Sequence, residues 1–131
     1  MIITNKECVD MINALGSLEN KVLPRKLAFA VAKNLTLLES QIYKPYSKEL
    51  EKINKAHAVL DENENQKADE HGRLIYKGRE QYQEELLELC EIENEIELHT
   101  VSEELLDLCD KEEKYDSLTL RETRALIKML E

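Results

Sequence analysis

Carboxylates are the residues of this sequence best spaced for chemistry. Glu85-x-x-Glu88 and Glu104-x-x-Asp107 each put two acids on one helical face. Oxygen pairs of that kind suit hard Mg²⁺. A second oxygen-rich run, Asp61, Asn63 and Asn65, fits the first, third and fifth positions of a calcium-binding loop. It then offers Gln66 where the loop needs a glycine and Gly72 where it needs a bidentate glutamate, so it reads as a solvated connection. Cys8, Cys90, Cys109 and His99 carry zinc-binding atoms, yet the close ligand pairs of structural zinc sites are missing. Cys90 and Cys109 sit among leucines and read as small core residues. No Ser–His–acid or Cys–His set and no glycine-rich phosphate loop is suggested by local context. The residues point to a binding protein rather than an enzyme, with no catalytic set, metal or cofactor expected.

Two charged segments are the candidate binding residues. Lys21, Arg25, Lys26 and Lys33 fall in a stretch without a single acid, and Lys26 and Lys33, seven apart, share a helical face with Phe29 and Ala30 between them. A helix started by Pro24 also offers free N–H groups to an anion. Such a patch suits a phosphate-bearing ligand or an acidic partner, or it pairs with the chain's own acids. Residues 80–113 are its opposite, with fourteen acids against one base, Lys111. Glu84, Glu88, Glu91 and Glu95 are the expected partner-binding positions on that acidic face, which presents the charge of a nucleic acid to a basic protein.

The charge balance excludes several functions. The net charge is −10, and it divides unevenly: residues 1–36 carry five bases and three acids, residues 37–131 thirteen and twenty-five. Direct binding to a nucleic acid duplex needs a basic surface and is not expected. Three cysteines without framework spacing argue against a disulfide scaffold. The apolar runs are too short for a membrane span, and the N-terminus does not read as a signal peptide. The expected compartment is the cytoplasm.

The elements that must hold these residues are mostly helical. One Phe, no Trp, three Gly and two Pro favour aliphatic helix packing in one domain over residues 1–131. Ile2–Ile3 can form an edge strand, and Thr4 with Glu7 forms a capping box for a helix running to about Gly16 or Leu18. From Pro24 an apolar stripe runs through Leu27, Val31, Leu35, Leu38, Ile42, Tyr46, Leu50, Ile53, His57 or Ala56, and Leu60, predicting a long helix over 24–60 kinked at Pro45. Residues 61–72 read as a polar loop, Arg73–Tyr76 as a short strand, and Glu80–Cys90 as a helix. Alternation in Glu95–Val101 predicts a half-buried strand. Ser102 can cap a short helix, and Thr119 with Glu122 forms a second capping box for the last one. No internal repeat is evident. The expected fold is mainly α (α+β): a long kinked helix packed by three or four shorter helices, with a small two- or three-stranded antiparallel sheet.

Two resemblances sharpen these expectations. The acidic pairs resemble those of helical nucleotide pyrophosphohydrolases, where i, i+3 carboxylates on facing helices hold magnesium around a triphosphate; here the expected strand at Ile96–Val101 stands where that family has helix and loop. The stretch from Leu23 through Lys33-Asn34 to Leu38-Glu39 resembles small proteins of phages and prophages in Firmicutes, whose families have no assigned activity. That likeness implies a phage-encoded accessory protein binding a host or phage protein stoichiometrically, either to inhibit a host defence protein or in virion assembly. The rival expectations are an oligomer that sequesters a phosphorylated signalling nucleotide through Arg25, Lys26 and Lys33, and a Mg²⁺-dependent all-α nucleotide pyrophosphohydrolase.

Overall fold

Thr4 sets the first boundary as its spacing predicts. Its hydroxyl accepts from the Glu7 N–H and its own N–H donates to the Glu7 carboxylate, both at 3.1 Å. In the computed structural model, which describes every residue from Met1 to Glu131, this capping box joins strand β1 (Ile2–Thr4) to helix α1 (Asn5–Gly16). Cys8, Met11, Ala14 and Leu15 form the buried face of α1, flanked by half-buried Val9 and Ile12.

The long helix is present and unbroken. Helix α2 (Arg25–Leu38) passes through a π-helical turn (Glu39–Tyr43) into α3 (Lys44–His57), which carries Pro45 in its first turn. The π turn directly precedes the proline, where a helix must otherwise accommodate a missing N–H and a crowded ring. The turn also solves a phase problem. Leu27 to His57 spans thirty residues in eight steps of the stripe, whereas eight α-helical turns hold only about 28.8 residues. The wider turn absorbs the extra residue and keeps the stripe on one side.

Helix α4 (Arg79–Glu91), strand β2 (Glu93–Glu95), α5 (Glu103–Lys111) and α6 (Leu120–Ile127) complete the order. The two strands are antiparallel, with Ile2 opposite Glu95 and Thr4 opposite Glu93. Strand β2 is therefore shorter and earlier than the alternation in 95–101 predicts. Past Ile96 the chain leaves the sheet because fully buried Asn34 on α2 takes over its backbone. The Asn34 amide donates to the His99 carbonyl at 2.9 Å and its oxygen accepts the His99 N–H at 2.8 Å. Val101 then makes an isolated parallel bridge to Leu130.

The core gathers Ile3, Leu15, Leu27, Leu38, Leu106, Leu126 and Met129 with their neighbours from β1, α1, α2, α5 and α6. No side chain of α3 or α4 belongs to it. Those two helices pack against each other and form an arm. The stripe follows this division: up to Ile42 it is buried except at half-buried Leu35, and beyond it Tyr46, Leu50 and Ile53 are all half-buried. The helix ends at His57, so Leu60 lies beyond it, extended and exposed.

The segment joining α3 to α4 is an ordered unit, contrary to the expectation of a plain polar loop and of no repeat. The Val59 N–H donates to the Ile75 carbonyl, Ile75 to Lys67, and Lys67 back to Val59, at 3.2, 2.9 and 2.7 Å. These three residues are eight apart, and the bonds close a ring. Around it, Asp61 donates to Asn65, Asp69 to Arg73, and Lys77 to His57, again eight apart. Asp61-Glu62-Asn63-Glu64-Asn65 and Asp69-Glu70-His71-Gly72-Arg73 make the same turn twice. Each aspartate Oδ1 accepts the N–H groups two and four residues on, at 2.8 and 3.0 Å. Each turn has its fourth residue left-handed, Glu64 at φ 64° and Gly72 at φ 78°.

Candidate functional site

Of the four acids expected on one face, the three on α4 share one by their spacing. Glu84, Glu88 and Glu91 lie at helical spacing on the outer side of α4, Glu95 follows on β2, and all four are exposed. None of the four carboxylates has a Lys or Arg side-chain nitrogen within 4.0 Å. Leu87 and Ile92 stand among them at 59% and 50% exposure, two large apolar side chains that the sequence reading did not single out. Their signal was present: both fall off the heptad positions that Tyr82, Leu86 and Leu89 occupy toward the arm and α1.

The basic segment is only partly assembled into a patch. Lys21 is withdrawn from it: the ammonium pairs with Glu122 at 2.6 Å and donates to the Ser117 carbonyl. Glu122 is buried, 2% exposed, and also accepts from the Ser17 hydroxyl and the Thr119 N–H. Burial pushes this carboxyl up, but Lys21, then Thr119 and Ser17, outweigh it and hold it down at about 2. Lys21 is thus a structural cation fixing α6 to the end of α1. Arg25, Lys26 and Lys33 remain exposed with no carboxylate within 4.0 Å. Lys26 and Lys33 line a cleft of about 390 Å³ with Phe29, Ala30, His99 and Thr100; Arg25 lies outside it.

The two magnesium-type pairs do not converge. Glu85 turns inward to His57 Nε2 at 2.7 Å, Glu88 faces solvent, and the helix bearing Glu104 and Asp107 packs against α2. No three His, Cys, Asp or Glu side chains are arranged to hold a metal ion. Asp61, the first position of the calcium-like run, has its Oδ1 occupied by two backbone N–H groups.

His57 is bonded at both nitrogens, Nδ1 to the Lys77 carbonyl at 2.8 Å and Nε2 to Glu85. Both partners are acceptors, so the imidazole is best satisfied doubly protonated, and the Lys77 carbonyl, then Glu85, raise its pKa. Neither nitrogen is free to take a proton from a substrate. Cys8 is buried, with burial pushing its thiol up to about 11, and Cys109 is raised by burial and Asp110. Cys8 and Cys109 are core residues; of the two cysteines expected there from their leucine neighbours, Cys109 is buried and Cys90 is only half-buried. No helix is long and apolar enough to cross a membrane.

Compared with protein-family models, with curated proteins and with solved structures, the chain matches none of them.

Proposed function

We propose that the protein acts by stoichiometric protein binding, presenting the outer face of α4 and β2 to a partner with a basic surface. The observation that carries this reading is that Glu84, Glu88, Glu91 and Glu95 stand unpaired around exposed Leu87 and Ile92. Acids at i, i+3 and i+4 on one helix repel one another by a few tenths of a kcal/mol per pair. The fold therefore keeps this face at a cost in its own stability, and bases on a partner would relieve it. An apolar spot inside a charged rim is the anatomy of a recognition surface, with the rim steering the encounter. The likeness of the Leu23–Glu39 stretch to phage-encoded proteins supports a host or virion protein as that partner.

The test is a capture experiment with the tagged protein in host lysate, comparing wild type with the variant carrying Glu84→Lys, Glu88→Lys, Glu91→Lys and Glu95→Lys. All four side chains are exposed, so helical content and melting should be retained. Proteins captured by wild type in low salt should be lost with the variant and with Leu87→Ala/Ile92→Ala. Undiminished capture by the charge-reversed variant would remove the proposal.

A further inference from the structure

We propose that the cleft between α2 and residues 96–100 binds a mononucleotide, its base against Phe29 and its phosphate between Lys26 and Lys33. Phe29 is the chain's only phenylalanine, and it is 59% exposed. Burying such a ring contributes roughly 1.5–3 kcal/mol, so leaving it in water forgoes much of the core energy a Phe can supply. The charges beside it are equally out of keeping with the molecule. In a chain with 28 acids and 18 bases, Phe29 shares its cleft with two lysines and no carboxylate.

The opposite wall is built rather than incidental. Asn34 has no exposure at all, and its amide is spent on the two backbone bonds that hold His99 across α2. That clamp stops the 96–100 segment from continuing the sheet and sets His99 and Thr100 facing the lysines and the ring. The cleft therefore offers an aromatic face, two ammonium groups, an imidazole and a hydroxyl. An aromatic face stacks any base, and ammonium groups hold a phosphate as point charges. Lys26 also borders a neighbouring cleft containing Glu104 and Asp107, without an ion pair to either.

A nucleotide unit occurs free and in single strands, and the charge distribution favours the free form. A strand running out of this cleft meets a surface of strongly negative net charge, whereas a mononucleotide touches only the basic patch.

Calorimetry of the full chain with the common nucleoside monophosphates, a nucleoside, inorganic phosphate and a short single-stranded oligonucleotide tests this. At least one monophosphate should bind, with nucleoside and phosphate alone each about tenfold weaker or more. Phe29→Ala and the pair Lys26→Glu/Lys33→Glu, all at exposed positions, should weaken it about tenfold or more, and added salt should weaken it further. The α4 charge reversal should leave it unchanged, which separates this site from the protein-binding surface. Absence of heat with every monophosphate into the millimolar range, equal binding of phosphate alone, or equal binding by Phe29→Ala would each overturn the proposal. Binding of the oligonucleotide without the monophosphates would replace it with a strand-binding surface.

Discussion

Glu122 is the one buried acid in the chain. It closes the Thr119 capping box, accepts from Ser17 and pairs with Lys21, so one carboxylate ties α6 to α1 and to the turn before α2. Its folded pKa of about 2 lies below the ordinary value of 4.5. The stability it contributes is therefore complete above 4.5 and is lost as the pH falls through about 2. Glu122→Gln should cost roughly 2–3 kcal/mol at neutral pH, discounted because Lys21 is partly solvated and can rehydrate. The same variant should lose less stability than wild type between neutral and acid pH, as read by urea unfolding. The residue-scale chemistry was half legible. Thr119 and Glu122 announce a cap by their spacing, but nothing local says that the same carboxylate is buried against a lysine 101 residues away.

The triplicated ring at the end of the arm makes a demand on backbone conformation. Its two equivalent turns need a left-handed fourth residue, filled by Gly72 in one and by Glu64 in the other. A side chain in that conformation costs about 1 kcal/mol, and glycine does not incur it. Gly72→Ala should therefore lower the stability of the ring by about that amount, while Glu64→Gly should be neutral or stabilising by a few tenths of a kcal/mol. Gly78, at φ 61°, should be the least tolerant, because an added Cβ would also sit 3.3 Å from His57 Nδ1. Amide exchange across 58–77 measures all three; faster exchange in Glu64→Gly would contradict the assigned equivalence of the turns. The repeat escaped sequence reading because it is one of backbone pairing. Asp61-Glu62 and Asp69-Glu70 repeat eight apart, but the third unit, Lys77-Gly78, shares no side chains with them.

At the scale of the molecule, a packed core carries a two-helix arm, and His57 stands where that arm meets the ring. His57 ends α3, receives the ring's last backbone bond from Lys77, and reaches Glu85 on α4. Tyr82 packs edge-on against it and stacks with Tyr76. Its pKa is raised above 6.5, so the stability it gives the arm is present in full below 6.5 and is lost as the pH rises through the folded value. Amides of 57–85 should exchange faster, relative to the core, on the alkaline side of that value. Glu85→Gln should bring the loosening to lower pH. An arm equally protected throughout, in both proteins, would show that His57 is held neutral. The long helix was legible in the stripe, but the π turn was not, because the spacing predicted only a kink at Pro45. The arm was not, because the stripe continues unchanged past Ile42 while the helices covering it change.

Local patterning alone determined the helical class, the capping boxes at Thr4 and Thr119, and the acidic outer face of α4. Each rests on interactions within one or two turns, which spacing encodes directly. The tertiary structure decided which lysine is spent on a buried carboxylate, which asparagine takes backbone from a strand, and which part of the greasy stripe reaches the core. Those outcomes depend on pairs far apart in the chain, where the competition among many acids for few bases is settled by packing geometry.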